Sequence, residues 1–457
     1  MPTRLAALCF LLTATPLFAQ THQPVLMISI DGMRPDYVTQ ADEHHLRIPN
    51  LRRMLAEGTH ATGVQGVFPT VTYPDHTTLI TGVWPTEHGI LNNSLFDPQQ
   101  KFSGAWYWYA DQIKVPTLWD AVHAAHLHTA SIGWPVTADA ATIDTLIPEY
   151  WRGPSPAGTI NPDDRFLMNA LSRPAGELLR IAGRTATPYM MGNDTTIAGD
   201  EVKTVYSLDI LKQHKPEFMT IHLSSLDEEE HLHGPFSDEA NTDLEALDGM
   251  VGRLAAQELA NFPNAVIAIV SDHGFAHVDH AMNLFVPFLE AGLIVTGKSA
   301  SGAVEVKSWK AEPWPGGGMF AIMLHDPADT ATRDQVKTLL DKLAAGPNNG
   351  IEAVLDHAAM ASRGGFPDAA FVVTLKPGYY SGAALSGPLV ADMPLKGTHG
   401  YDPTTTTQMR ASLFLSGKGI AHGKDLGLID MRQIAPTLAA VLGVPLPTAT
   451  QKELPIH

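Results

Sequence analysis

The sequence predicts an α/β protein with a mainly parallel sheet flanked by helices, and three observations carry that expectation. Short apolar runs alternate with helical patterns along the chain. The runs are apolar at successive positions, as strands covered on both faces are. Acids and histidines cluster just after them, where open α/β sheets gather ligands. The expected buried strands are Val25 to Ile30, Ala130 to Ile132, Phe218 to Leu223, Ala265 to Val270 and Ser412 to Leu415. Between them, Pro49 to Gly58 opens with proline and closes with glycine, as a helix does. Asp238 to Leu259 carries Leu244, Leu247, Val251 and Leu254 on one face, and Met431 to Leu442 ends at Gly443. The segment from about 275 to 394 reads as a smaller inserted lobe, containing Pro313-Trp314-Pro315-Gly316-Gly317-Gly318, a strand-like Met319 to Leu324 and a helix-like Thr330 to Leu343. Residues 137–203, rich in Pro, Gly and Thr, read as an irregular excursion able to cap a site.

With 457 residues, 44% of them hydrophobic, the chain can bury the core of one large domain or two ordinary ones. Its formal charge of -18 repels nucleic-acid backbones and anionic membranes, so no nucleic-acid polymer is expected as a partner. A small phosphate ligand is compatible with that charge, because a few local cations override the sign of the whole. Residues 1–19 hold Arg4, the apolar run Leu5 to Leu12 and an ending Leu17-Phe18-Ala19. This reads as a signal peptide cleaved after Ala19, which predicts a secreted or periplasmic protein. No later stretch approaches the roughly twenty apolar residues of a spanning helix. The single cysteine, Cys9, falls inside the leader, so the mature chain must hold any metal with oxygen and nitrogen. Bulky Leu8 before it argues against a lipid anchor.

Four strand ends supply acid and imidazole groups. They are Asp31, then Asp227 with His231, then Asp272 with His273, then His399. Three carboxylates and three imidazoles suit two zinc ions with open positions, because Zn²⁺ takes both donor types whereas harder cations want fewer histidines. Asp227 and His231 share a face if the chain is helical there. Singly, each residue is more often a cap, a turn or a solvated side chain; the weight lies in the combination.

Thr72 precedes Pro74, a placement that fits the first turn of a helix, where backbone N–H groups and the dipole favour an anion. Thr72 is then a candidate nucleophile that needs a neighbouring metal to activate it; the plain alternative is a helix cap. Asn93 beside Asn92 reads, by itself, as a turn residue.

Taken in order, Asp31-Gly32, the Thr72-Tyr73-Pro74-x-His76 block running through Thr81-Gly82 to His88-Gly89-Ile90 and Asn93, Asp227-x-x-x-His231-x-x-Gly234-Pro235, Asp272-His273-Gly274 and His399-Gly400-Tyr401 resemble the nucleotide pyrophosphatase/phosphodiesterase family of the alkaline phosphatase superfamily. The resemblance implies an alkaline-phosphatase-like sandwich over residues 20–457. It implies one zinc on Asp227, His231 and His399, and a second on Asp31, Thr72, Asp272 and His273. It implies Thr72 as covalent nucleophile, with Asn93 and the Thr72 backbone N–H holding a phosphate oxygen. The implied activity is hydrolysis of phosphodiester or pyrophosphate bonds in a small phosphodiester or nucleotide.

Two departures bear on the substrate. Nucleotide-cleaving members usually place an aromatic after the nucleophile and a tyrosine five residues before the Asp of Asp-x-x-x-His; here those positions are Tyr73 and His222. Tyr73 is expected to stack a base, and His222 and Trp134 to line the substrate pocket. Glu228, Glu229 and Glu230 are extra acids in the Asp227 motif, expected to repel a polyphosphate tail. Trp106 to Tyr109 either line the pocket or pack beneath the sheet edge. A sulfatase is excluded, because it needs Cys or Ser at the Thr72 position and an Arg four residues on. A phosphomonoesterase is the main alternative, although no Lys-x-Arg pair stands near Trp134 to hold a dianion. A phosphonate hydrolase and a noncatalytic metal-binding protein rank below it; no ligand or nucleophile is missing.

Overall fold

A computed structural model describes residues 22–99, 106–150, 164–182, 195–299, 302, 304–347 and 349–457. The expected leader, with Cys9, lies outside the described residues. An eight-stranded sheet forms the centre, in the order Lys424–Asp425, Thr59–His60, Leu413–Gly417, Val266–Val270, Val25–Ile30, Phe218–Leu223, Thr129–Ile132, Thr145–Ile147. The five strands from Val266–Val270 onward in that order run parallel to one another. Leu413–Gly417 is antiparallel to both its neighbours, a reversal that the apolar run alone does not encode.

Side-chain alternation divides the central strands between two cores. Leu26, Ile28, Ile30, Ile267 and Ile269 pack on one face against the helices Pro49–Glu57, Ile197–His214 and Asp238–Asn261. Val25, Met27, Val266, Ala268 and Val270 pack on the other against Thr72–Thr81, Leu118–Ala124 and Ile434–Leu442. This coverage on both faces is why the strands read as unbroken apolar runs. Among the described residues, no helix is long and apolar enough to cross a membrane.

Residues 276–398 build three smaller sheets over a third core. Ala311–Pro315, Met319–Leu324, Phe371–Leu375 and Ile351–Leu355 form an antiparallel four-stranded sheet, backed by the helix Thr330–Ala344. Ala276–Met282 pairs with Val390–Thr398, in a register that sets Ala276 opposite Thr398. That ladder closes the neck of the lobe. In the segment 137–203, the described part contributes the edge strand Thr145–Ile147, and Glu149, Tyr150, Met168, Thr195 and Lys203 form part of a cavity wall.

Candidate active site

Asp31, Asp227 and Asp272 reach one place because the parallel strands before them end on the same edge of the central sheet, and His399 is brought there from the separate ladder at the neck. Asp31 follows Val25–Ile30, and the Gly32 after it takes φ +74. A Cβ there would meet Glu230 Oε2 at 2.6 Å, so only glycine makes this turn. Gly32 N–H donates to Asp272 Oδ1 at 3.2 Å, tying the two strand ends together. Asp227 and His231 occupy one face of the helix Ser225–His233, with Oδ2 and Nε2 3.5 Å apart. The ladder at the neck sets His273 and His399 beside each other, their rings stacked at 3.7 Å.

Orientation of the imidazoles is set from behind. His231 Nδ1–H donates to Gly397 O at 3.1 Å and His399 Nδ1–H to Thr70 O at 2.9 Å, so Nε2 of each ring faces inward. A glycine turn holds His399 in turn: Gly318 N–H donates to the His399 carbonyl at 2.8 Å, and a Cβ on Gly317 would lie 2.1 Å from that oxygen. The glycines of Pro313 to Gly318 therefore have a packing reason, a backbone approach that no side chain permits.

Two overlapping groups of donor atoms result: Asp227, His231 and His399, and Asp31, Asp227 and His273, each within 4.8 Å. Asp272 joins the second, its Oδ2 3.2 Å from His273 Nε2. Asp31 Oδ1, Asp227 Oδ1, Asp272 Oδ2 and His273 Nε2 are sealed from solvent without a hydrogen-bond partner. Buried carboxylates are not left uncompensated at this density, and a divalent cation among them fits the donor set. The electrostatics agree. Burial, then Asp272 and Asp227, push the Asp31 carboxyl well up, and burial, then Asp272, does the same to Asp227. Asp272 is buried too, but His273 and His76 hold it well below its ordinary range. Burial keeps His231 and His399 low and takes His273 down to about 4, which leaves the imidazoles neutral as metal ligation requires.

Thr72 is the first residue of the helix Thr72–Thr81, with Val71 at the capping position and no side-chain cap. The capping reading of Thr72 thus fails; the residue lines a cavity of about 270 Å³ together with Asp31, Asn93, Asp227, His231 and His399. Asn93 Oδ1 accepts from the Tyr73 N–H at 2.9 Å, which turns its NH₂ end toward a ligand.

Of the expected substrate contacts, Tyr73 and His222 border the cavity and Trp134 does not. Tyr73 lines the cavity but is 1% exposed, edge-on to Trp106 at 5.2 Å, with its hydroxyl on Glu149 Oε1 at 3.0 Å, so the ring is anchored in the wall and does not stand out as a stacking platform. Trp134 is fully buried against His76 and Trp119 and does not line the cavity, whose aromatic wall is Tyr73, Trp106 and Tyr150. His222 borders the cavity, but Nε2 lies 2.9 Å from Asp31 Oδ2 and Nδ1 3.0 Å from Gly133 O, so its nitrogens are engaged in holding a candidate ligand. Of the extra acids, Glu230 turns away from the cavity onto the Tyr37 hydroxyl at 2.9 Å, Glu229 faces His233 at 3.6 Å, and Glu228 alone lines the cavity.

Two residues without an assignment from sequence are central. Glu149 lies between Tyr73 and His222, 3.3 Å from His222 Nδ1, and no local motif marks it. His76, four residues after Thr72, contacts Thr72 O at 2.8 Å, Ser29 Oγ at 2.9 Å and Asp272 Oδ2 at 3.3 Å; its i+4 spacing on the helix was the available signal.

Human ectonucleotide pyrophosphatase/phosphodiesterase family member 1 is 25% identical over 264 residues, 55% of this chain and 23% of the relative. Venom phosphodiesterase of Macrovipera lebetinus is 26% identical over 260 residues, 56% of this chain and 26% of the relative. The match thus spans about a quarter of the length of these curated relatives. The solved structure of murine ectonucleotide pyrophosphatase / phosphodiesterase 5 superposes with a TM-score of 0.65 at 18% identity, covering 94% of this chain and 97% of that one, which shows a shared fold. An inactive form of the same murine protein, in complex with AMP, matches equally well, at a TM-score of 0.65. The family model for Type I phosphodiesterase / nucleotide pyrophosphatase matches residues 25–402, a span that includes every acid, imidazole and hydroxyl assembled above, and the chain belongs to that family.

Proposed function

We propose that this protein is a secreted or periplasmic two-zinc hydrolase of phosphodiester or pyrophosphate bonds that acts through an ester on Thr72. The observation that carries the reading is the cluster of unpartnered buried atoms on Asp31, Asp227, Asp272 and His273: Asp31 and Asp227 line the cavity with Thr72, and His273 lies 3.5 Å from Asp31 and 3.2 Å from Asp272. Asp227, His231 and His399 would hold one ion; Asp31, Asp272, His273 and the Thr72 hydroxyl would hold the other, with Asp227 close to both. When bound, the two ions supply Lewis acidity that lowers the pKa of a hydroxyl or a water and offsets the charge of three aspartates and one alkoxide.

The chain's own residues do the rest. The helix N-terminus at Thr72, with the Asn93 NH₂, receives a non-bridging phosphate oxygen. Thr72 Oγ1 attacks phosphorus in line; the new O–P bond forms as the bond to the leaving oxygen breaks. Water then cleaves the Thr72 ester, returning the hydroxyl. His222, backed by Glu149, keeps Asp31 in place, and His76 does so for Asp272. Lys203 is the cation among the described residues of the cavity wall, and its ammonium donates to Asp200 and Ser224, both at 2.8 Å. A phosphate dianion finds little compensation there, which favours a diester monoanion over a monoester.

The test is hydrolysis of the p-nitrophenyl ester of dTMP beside p-nitrophenyl phosphate, by zinc-loaded wild type and Thr72→Ala. A diester preference abolished in Thr72→Ala with zinc content unchanged is the expected result. A monoester preference transfers the protein to the phosphatase alternative, and zinc loss with chemistry intact overturns the role of Thr72.

A further inference from the structure

A second cavity, of about 550 Å³, lies between residues 94–99 and the edge of the four-stranded sheet of the lobe. Glu312 and Trp314 both line it, from alternate positions of the strand Ala311–Pro315, so they share a face of that strand. Glu312 is 4% exposed and its Oε2 is sealed from solvent with no hydrogen-bond partner. Trp314 is 6% exposed, and its indole Nε1–H likewise has no acceptor. Two orphaned polar groups on one wall of one cavity are uncommon, because each costs desolvation that an internal bond would normally offset. Burial, then Asp97, pushes Glu312 up to about 8, the response of a carboxyl that lacks a cation. Around the two groups the wall mixes rings with acids: Phe96 packs against Trp314 at 5.6 Å, Phe285 and Leu385 add apolar surface, and Asp97 and Glu305 add further carboxylates. No Lys or Arg stands among the described residues of this wall.

We propose that this cavity is a second binding site, for a small organic cation whose ammonium pairs with Glu312 and whose oxygen accepts from the Trp314 indole N–H. Burial of an ammonium is tolerable where a carboxylate pairs it and aromatic faces surround it. The acidic chain as a whole favours a cation over an anion. The site is separate from the Thr72 cavity, but its wall continues from Asn93, and Asn92 Nδ2 donates to Pro315 O at 3.0 Å. An occupant therefore braces the segment that carries Asn93.

The probe is 4-aminobutan-1-ol, whose amine and hydroxyl span about the 6–7 Å between alternate strand positions. Calorimetric titration of the full zinc-loaded chain at pH 7.5 is expected to give one saturable site. Glu312→Gln, which keeps the shape and removes the charge, should weaken binding at least tenfold; Trp314→Phe, which keeps a ring and removes the donor, should weaken it severalfold. Thr72→Ala should bind as wild type does, which separates this site from the catalytic one and makes the result independent of the proposed reaction. n-Pentylamine, lacking the oxygen, and pentan-1-ol, lacking the charge, should both bind more weakly. Absence of saturable binding, equal binding by Glu312→Gln, or pentan-1-ol binding as tightly as the amino alcohol would each overturn the proposal.

Discussion

Replacing Gly317 by alanine tests whether the glycine turn positions His399. The new Cβ would stand 2.1 Å from the His399 carbonyl oxygen, whereas an ordinary C···O contact needs roughly 3.3 Å, so about 1.2 Å of backbone retreat is required. Gly317 also has φ +70, which costs alanine on the order of 1–2 kcal/mol by itself. Overpacking adds about 1–3 kcal/mol, for a total near 2–5 kcal/mol. Gly292 supplies the control: its φ is +69 and a Cβ there meets nothing within 4 Å, so Gly292→Ala carries the backbone strain without the clash. Displacing a metal ligand's support typically costs about 10- to 100-fold in affinity. Competition against a fluorescent zinc chelator, with thermal unfolding of the metal-free proteins alongside, should show that loss in Gly317→Ala and none in Gly292→Ala. Equal zinc affinities in the two variants would refute the argument that the turn holds His399.

Other outcomes follow from the same reasoning. Glu258 is 1% exposed with neither carboxylate oxygen partnered, and burial, then Glu217, pushes it from 4.5 up to about 8. The folded chain keeps a proton there that the unfolded chain releases, so stability is lost as pH rises from about 4.5 to 8, by roughly 5 kcal/mol in full. Glu258→Gln should match wild type in urea unfolding at pH 5 and exceed it by several kcal/mol at pH 9; parallel pH curves would refute this. His222→Phe should lower zinc affinity about tenfold or more by freeing Asp31, with activity partly restored by excess zinc; a changed KM at unchanged zinc affinity would instead mark His222 as a substrate contact. Chelation should lower the melting temperature reversibly, since a ligand at a thousand times its Kd contributes about 4 kcal/mol; an unchanged melting curve on loss of zinc would count against the buried carboxylates being held by metal.

The central strands were legible because residues 25–30, 218–223 and 266–270 are covered on both faces and are apolar apart from Thr220 and the site ends. The acids and imidazoles were legible because each directly follows a strand or sits at helical spacing. What sequence could not convey was direction and depth. Trp134 looks like a pocket residue in one dimension, yet its bulk is used to fill space beside the helix Thr72–Thr81. His222 occupies a position where an aromatic was expected, but its register opposite Ser29 brings its ring within reach of Asp31. Glu149 and Gly317 lie far in sequence from the groups they support, so only the folded chain pairs them. Leu413–Gly417 runs backward because the chain returns to the sheet from the lobe, a matter of connection rather than composition.

The ladder of Ala276–Met282 with Val390–Thr398 has a consequence for how such proteins can diversify. It fixes His273 beside His399 at the neck, and the glycine turn at Gly316 to Gly318 is a further point where the lobe presses on a candidate ligand's backbone. The hairpin of Ile294–Lys298 with Val304–Trp309 and the helix Thr330–Ala344 stand beyond both. Lengthening a closed segment costs only about 0.6 kcal/mol per doubling. Insertions and deletions on that outer rim are therefore nearly neutral for the chemistry, whereas a one-residue slip of the neck ladder would turn His399 to the opposite face. Length variation among natural homologues should accumulate at the rim and stop at the neck.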